Sequence, residues 1–188
     1  VGSVNGSDDP QPACSRSARR AAHARASQPS YAGSIAYPRA LPERLSAYEI
    51  PALRSIGQLD VLFERVVEGE PPIVLVAVGP MAHAVIEAAQ GLDGSLVAVD
   101  PRWVLPISDQ LVDLAATSAG VVVLEDGLAT GGVGDALRSA LARSGSYVPV
   151  KSLGIDKRFL QHATRGAILH RQAMDADAVR TAVCQLRG

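Results

Sequence analysis

The chain has 188 residues, 47% of them hydrophobic and 20% charged, with a net charge of −1. That is enough apolar material for one domain with a core plus a tail. A near-neutral balance supplies no global field for nucleic acid or an anionic membrane, and the longest apolar run, Ile73–Val78, is far too short to span a bilayer.

Residues 1–33 are rich in Ser, Pro, Gly, Ala and Arg and poor in large apolar residues, which predicts a disordered leader. Arg16, Arg19, Arg20 and Arg25 form a basic patch that suits either a targeting peptide or an unselected leader. Asp8-Asp9 and the missing apolar region argue against secretion. Cys14 and Cys184 have no metal spacing and no disulfide framework, which suits a reducing cytoplasm.

Residues 34–70 are predicted to connect. Pro38 biases Tyr37 toward extended geometry. Ile50, Leu53 and Ile56 suit an edge strand or a short hairpin, and Leu59–Val67 suits a strand or a short helix. Glu68-Gly69-Glu70-Pro71-Pro72 is a turn signal. The main domain is drawn over residues 71–188.

Ile73–Val78 then reads as a buried strand broken by Gly79-Pro80, and Met81–Leu92 as a helix with Ala82, Val85, Ile86 and Ala89 on one face. Leu96–Val99 and Val121–Leu124 are further buried strands. Between them Ser108–Ser118 has helical spacing, with Ser108 as its N-cap. Gly134–Arg143 is the next helix and Tyr147–Val150 a strand candidate, with Pro149 suggesting an edge. Phe159, Leu160 and His162 read as a short helix docking on the core. Asp175 or Asp177 starts a last helix whose apolar residues are Val179, Ala182, Val183 and Leu186. The alternation predicts an α/β fold with three layers, a mostly parallel sheet flanked by helices.

The candidate site residues lie where strands end, since open α/β sheets place ligands there. Asp100 and Arg102 suit either an interface with a partner or a turn stiffened by Pro101. Glu125 and Asp126 are adjacent in a strand, so they point to opposite faces and form no catalytic pair. Gly131, Gly132 and Gly134 at a helix start suit a phosphate cradle or a tight turn with close helix packing. The Lys-Ser/Thr of a P-loop is absent, as is the G-x-G-x-x-G of a dinucleotide site. No metal spacing surrounds His83.

The wording Asp100-Pro101-Arg102-Trp103-Val104-Leu105-Pro106, then Glu125-Asp126-Gly127 and Gly131-Gly132-x-Gly134, resembles the C-terminal domain of 1-deoxy-D-xylulose-5-phosphate synthase, a thiamine-diphosphate-dependent relative of transketolase. The resemblance extends to Tyr37-Pro38-Arg39, Gly154-Ile155-Asp156, Phe159 and His162, and departs from the family pattern at Ala36, Ala40, Asp156 and Ala163. It implies a transketolase C-terminal fold, with residues 34–70 as a remnant of the preceding domain and its linker. It also implies a truncated member of the family, because the complete enzyme is several hundred residues longer on the N-terminal side.

The family condenses pyruvate with glyceraldehyde 3-phosphate, losing carbon dioxide, in isoprenoid precursor synthesis, and the chemistry belongs to thiamine diphosphate with magnesium. By the same resemblance Arg39 contacts the substrate phosphate, while the cofactor groups lie in the preceding domains. The resemblance therefore assigns this chain no catalytic residue and no cofactor of its own. Three functions follow as expectations. One is the C-terminal part of such a synthase, inactive alone and cytoplasmic. Another is an interaction module that forms a homodimer or joins a thiamine-enzyme subunit. The last is a binder of a small phosphorylated ligand at the Asp100 and Gly131–Gly134 edge.

Overall fold

The structure, a computed structural model, describes residues 50–188. Arg39 and the leader lie outside the described residues. Six strands form one sheet: β1 (Arg54–Ile56), β2 (Leu59–Arg65), β3 (Ile73–Val78), β4 (Leu96–Asp100), β5 (Gly120–Leu128) and β6 (Val150–Ile155), in the order β1-β2-β4-β3-β5-β6. β4, β3, β5 and β6 run parallel, and β1 and β2 are antiparallel additions on one side. The fold is α/β with the three layers expected.

Strand alternation builds two cores. Ile73, Leu75, Leu96, Ala98, Val122 and Leu124 face one side, where they meet α1 (Ala82–Gln90) and α5 (Ala176–Arg187). Val74, Val76, Val97, Val99, Val121 and Val123 face the other, against α2 (Asp109–Ala116) and α3 (Val133–Arg143). A strand covered on both faces can be apolar at every position, which is why β3 reads as an unbroken run, IVLVAV.

Helix ends are held by side chains. Ser108, Thr164 and Asp175 accept the N–H groups of Leu111, Ala167 and Ala178, starting α2, α4 (Arg165–Arg171) and α5. Such caps satisfy backbone donors that the helix itself leaves orphaned. At the far end of α1, Arg65 donates to the carbonyls of Ala89 and Leu92, where a cation complements the helix dipole.

Residues 54–65 form two strands of the sheet, the strand alternative that Ile56 and Leu59–Val67 left open, and four sequence expectations change. The boundary drawn at residue 71 therefore falls inside the sheet; β2 is apolar enough to be buried against β4, with Leu59 and Val61 fully covered. β5 runs to Leu128, because Glu125 is itself buried and continues the strand. The last strand starts at Val150 and not at Tyr147, since Pro149 has no N–H to give the ladder and Tyr147 is exposed. The helix expected at Phe159–His162 lies instead at Arg165–Arg171, where Thr164 supplies the cap, and Phe159 stands fully in solvent rather than docked on the core.

Candidate functional site

The helix crossovers define where a ligand would sit in this sheet. From β3 the chain passes through α1 to β4 on one side; from β5 it passes through α3 to β6 on the other. Connections leaving adjacent strands in opposite directions open a crevice at the strands' carboxyl ends. Here that crevice lies between the exit of β3, Gly79-Pro80, and the end of β5, Glu125–Leu128. Glu125, Asp126 and the glycines singled out in the sequence all gather there.

The crevice is filled by the chain's own side chains. Glu125 is buried, 3% exposed. Its Oε2 accepts the N–H of Val133 at 2.8 Å, at the first turn of α3. A carboxylate there offsets the partial positive charge of the helix N-terminus, which is the position a phosphate would use. The other oxygen, Oε1, has no hydrogen-bond partner among the described residues. Burial pushes the Glu125 carboxyl above its ordinary value, while the N–H groups of Val133 and Gly134 pull it the other way.

Two of the three glycines leave room for neighbouring atoms. A Cβ on Gly132 would overlap both Glu125 oxygens and the Leu128 carbonyl, and one on Gly134 would overlap the Ser152 hydroxyl. Of Gly131, Gly132 and Gly134, Gly131 alone takes a left-handed φ, +77°, at the turn into the helix. Its N–H is held by the Asp135 carboxylate. Of the two readings open in the sequence, this geometry supports the tight turn with close helix packing.

Asp126 points away from Glu125, as strand alternation requires, and its Oδ1 accepts from Arg165 of α4 at 3.0 Å. Asp100 and Arg102 also work inside the fold. Asp100 Oδ1 accepts the N–H of Arg102 at 2.8 Å, in an Asx turn that holds Arg102 at φ 51°. The Arg102 guanidinium donates to the carbonyls of Gly57 and Gln58 and lies 3.5 Å from Asp60. It ties the exit of β4 to the β1–β2 turn, a contact between residues more than forty apart that no local motif could reveal.

These groups do not fit thiamine diphosphate and its magnesium. The glycine-rich helix start holds a carboxylate, which repels a diphosphate, and Asp126 is engaged by Arg165. Among the described residues no group of three or more His, Cys, Asp or Glu could hold a metal. No catalytic step is assigned to this edge.

The model of the transketolase C-terminal domain matches residues 63–179. The chain belongs to the transketolase C-terminal domain family. Among curated relatives, 1-deoxy-D-xylulose-5-phosphate synthase of Thermobifida fusca is 43% identical over 135 residues, covering 69% of this chain and 21% of that protein. 1-Deoxy-D-xylulose-5-phosphate synthase 1 of Kitasatospora griseola is 46% identical over 124 residues, covering 64% of this chain and 19% of that protein. The chain thus spans about a fifth of the length of these relatives. A solved structure described as a split gene transketolase, an inactive beta4 tetramer, matches with a TM-score of 0.55 and 26% identity over 66% of this chain and 42% of that one. The matched residues take in the four parallel strands β3, β4, β5 and β6 and the glycine-rich start of α3. No described helix is long and apolar enough to cross a membrane.

Proposed function

We propose that this chain serves as the C-terminal domain of a 1-deoxy-D-xylulose-5-phosphate synthase-like enzyme of the cytoplasm, a transferase that condenses pyruvate with glyceraldehyde 3-phosphate for isoprenoid precursors. In this reading it contributes structure and binding surface rather than catalytic groups. Thiamine diphosphate and magnesium are held by another part of the enzyme. The observation that carries the proposal is the 43% identity to a named synthase, confined to about a fifth of that protein. The geometry adds to it: Asp100, Arg102, Glu125 and Asp126 each make at least one hydrogen bond inside the fold.

The solved split-gene relative, described as inactive in its beta4 form, favours a chain of this kind standing apart from the rest of its enzyme. A thiamine-enzyme subunit is then its partner. The test is a coupled synthase assay on the purified chain with pyruvate, glyceraldehyde 3-phosphate, thiamine diphosphate and magnesium. The expected result is no turnover by the chain alone and turnover when a thiamine-binding polypeptide is supplied. Cofactor-dependent turnover by the chain alone would overturn the reading.

A further inference from the structure

Two surface cavities differ in what their cations do. One, of about 500 Å³, runs along β6, and its cations are Arg138 and Lys151. Both are engaged: Arg138 donates to the Val150 carbonyl and the Ser152 hydroxyl, and Lys151 donates to Gln185. The other, of about 320 Å³, is lined by the segment that follows β6 and by α4. Arg158, Phe159 and Leu160 come from the segment, and Ile168, Arg171 and Gln172 from the helix and its cap.

The cations of this smaller cavity are open to a ligand. Residues 157–174 hold Lys157, Arg158, Arg165 and Arg171 and no acidic residue. Arg165 is taken by Asp126 at 3.0 Å, whereas Arg171 makes no ion pair among the described residues. Nor does α4 need Arg171 as a cap. The carbonyls of Ile168, Leu169 and His170 already accept the backbone N–H groups of Gln172, Met174 and Ala173. Arg158 is paired with Asp156 at 3.1 Å, but the two side chains are 65% and 61% exposed, and an exposed pair of that kind is weak. Gln172 adds a further donor. Its Oε1 accepts the N–H of Asp156 at 2.9 Å, which leaves its amide N–H groups for another partner.

Two guanidiniums and a carboxamide N–H beside Phe159, Leu160 and Ile168 suit a ligand that is anionic at one end and apolar at the other. Two guanidinium forks in one cavity match the double charge of a phosphate monoester better than the single charge of a carboxylate. The glycine-rich start of α3 does not take that role, because the Glu125 carboxylate occupies it. The volume lies at the small end of ligand pockets, which suits a body of one ring and not a dinucleotide. We propose that this cavity binds a small phosphate monoester, with its phosphoryl group on Arg158, Arg171 and the Gln172 amide and its apolar body against Leu160, Ile168 and Phe159. The site stands on this chain's own residues and does not depend on the function proposed above.

The experiment titrates the full chain with phenyl phosphate by calorimetry, and separately with inorganic phosphate and with benzoate. The expected result is saturable one-to-one binding of phenyl phosphate, about tenfold tighter than either control, since the ring and the doubly charged head both contribute. Arg171→Gln and Arg158→Gln, both at exposed side chains, are expected to weaken it about tenfold each, the scale of lost charge-assisted hydrogen bonds, with the melting temperature unchanged. Arg165→Gln, at a residue held by Asp126 outside the cavity lining, is expected to leave the affinity unchanged. No saturable binding of phenyl phosphate would overturn the proposal. Equal binding of inorganic phosphate would mark an adventitious ion only and overturn it too, and equal binding of benzoate would refute the phosphate. Equal losses in the Arg165 and Arg171 variants would mean diffuse basic charge and no site. Each of these failures leaves the proposed function standing, because the coupled assay tests that separately.

Discussion

Glu125 stands in sequence at a candidate interface or ligand edge, and in the fold its carboxylate accepts a hydrogen bond from the chain's own backbone. It sits at the strand end where a ligand is expected, yet its carboxylate is spent on the first turn of α3. Its pKa is raised by burial, so its protonated form is favoured by folding. A group of that kind contributes stability that is fully present below its unfolded value, and that contribution is lost as pH rises through the folded value. Glu64 behaves in the opposite sense, because its hydrogen bond to Arg54 holds its carboxyl low. The Glu125 effect is therefore read by difference. The E125Q variant is expected to melt higher than the parent above neutral pH, with the gap closing as pH falls toward 4.5, in thermal melts across that range. A gap that does not change with pH would refute the assignment. Gly132→Ala puts a methyl group against both carboxylate oxygens, and overpacking of that kind costs roughly 1–3 kcal/mol. The expected drop in melting temperature, several degrees, is checked by calorimetry.

At the scale of elements, caps and edges decide what the backbone can do. Ser108 accepts the N–H of Leu111 at 3.3 Å and starts α2. Ser108→Ala is expected to lose about 1 kcal/mol in chemical denaturation, the usual value of such a cap. β6 is an open edge, and an open edge is a template for another strand. Arg138 covers it, donating from Nε and Nη2 to the Val150 carbonyl at 3.2 and 3.0 Å and to the Ser152 hydroxyl at 3.1 Å. Arg138→Ala should thus raise concentration-dependent light scattering while changing stability by about 1 kcal/mol or less. An unchanged scattering profile would show that the edge is guarded by something else.

At the largest scale, the described residues rest on two cores sharing one sheet. Leu124 belongs to the face packed by α1 and α5 and is fully buried. Leu124→Ala is expected to cost 2–5 kcal/mol, in the range of buried leucine truncations, and should lower the denaturation midpoint without changing its slope. A domain that folds by these two cores is expected to unfold cooperatively on its own.

The sequence by itself determined the parallel strands and most helix starts. Those depend on local facts: β-branched runs that can be buried on both faces, and Ser108 or Asp175 placed before an apolar period. It also carried the family, through the Asp100–Pro106 wording and the glycines before α3. Tertiary structure decided what those motifs do. That Gly132 makes room for Glu125, that Arg102 reaches back to the β1–β2 turn, and that residues 54–65 join the sheet are contacts between distant segments.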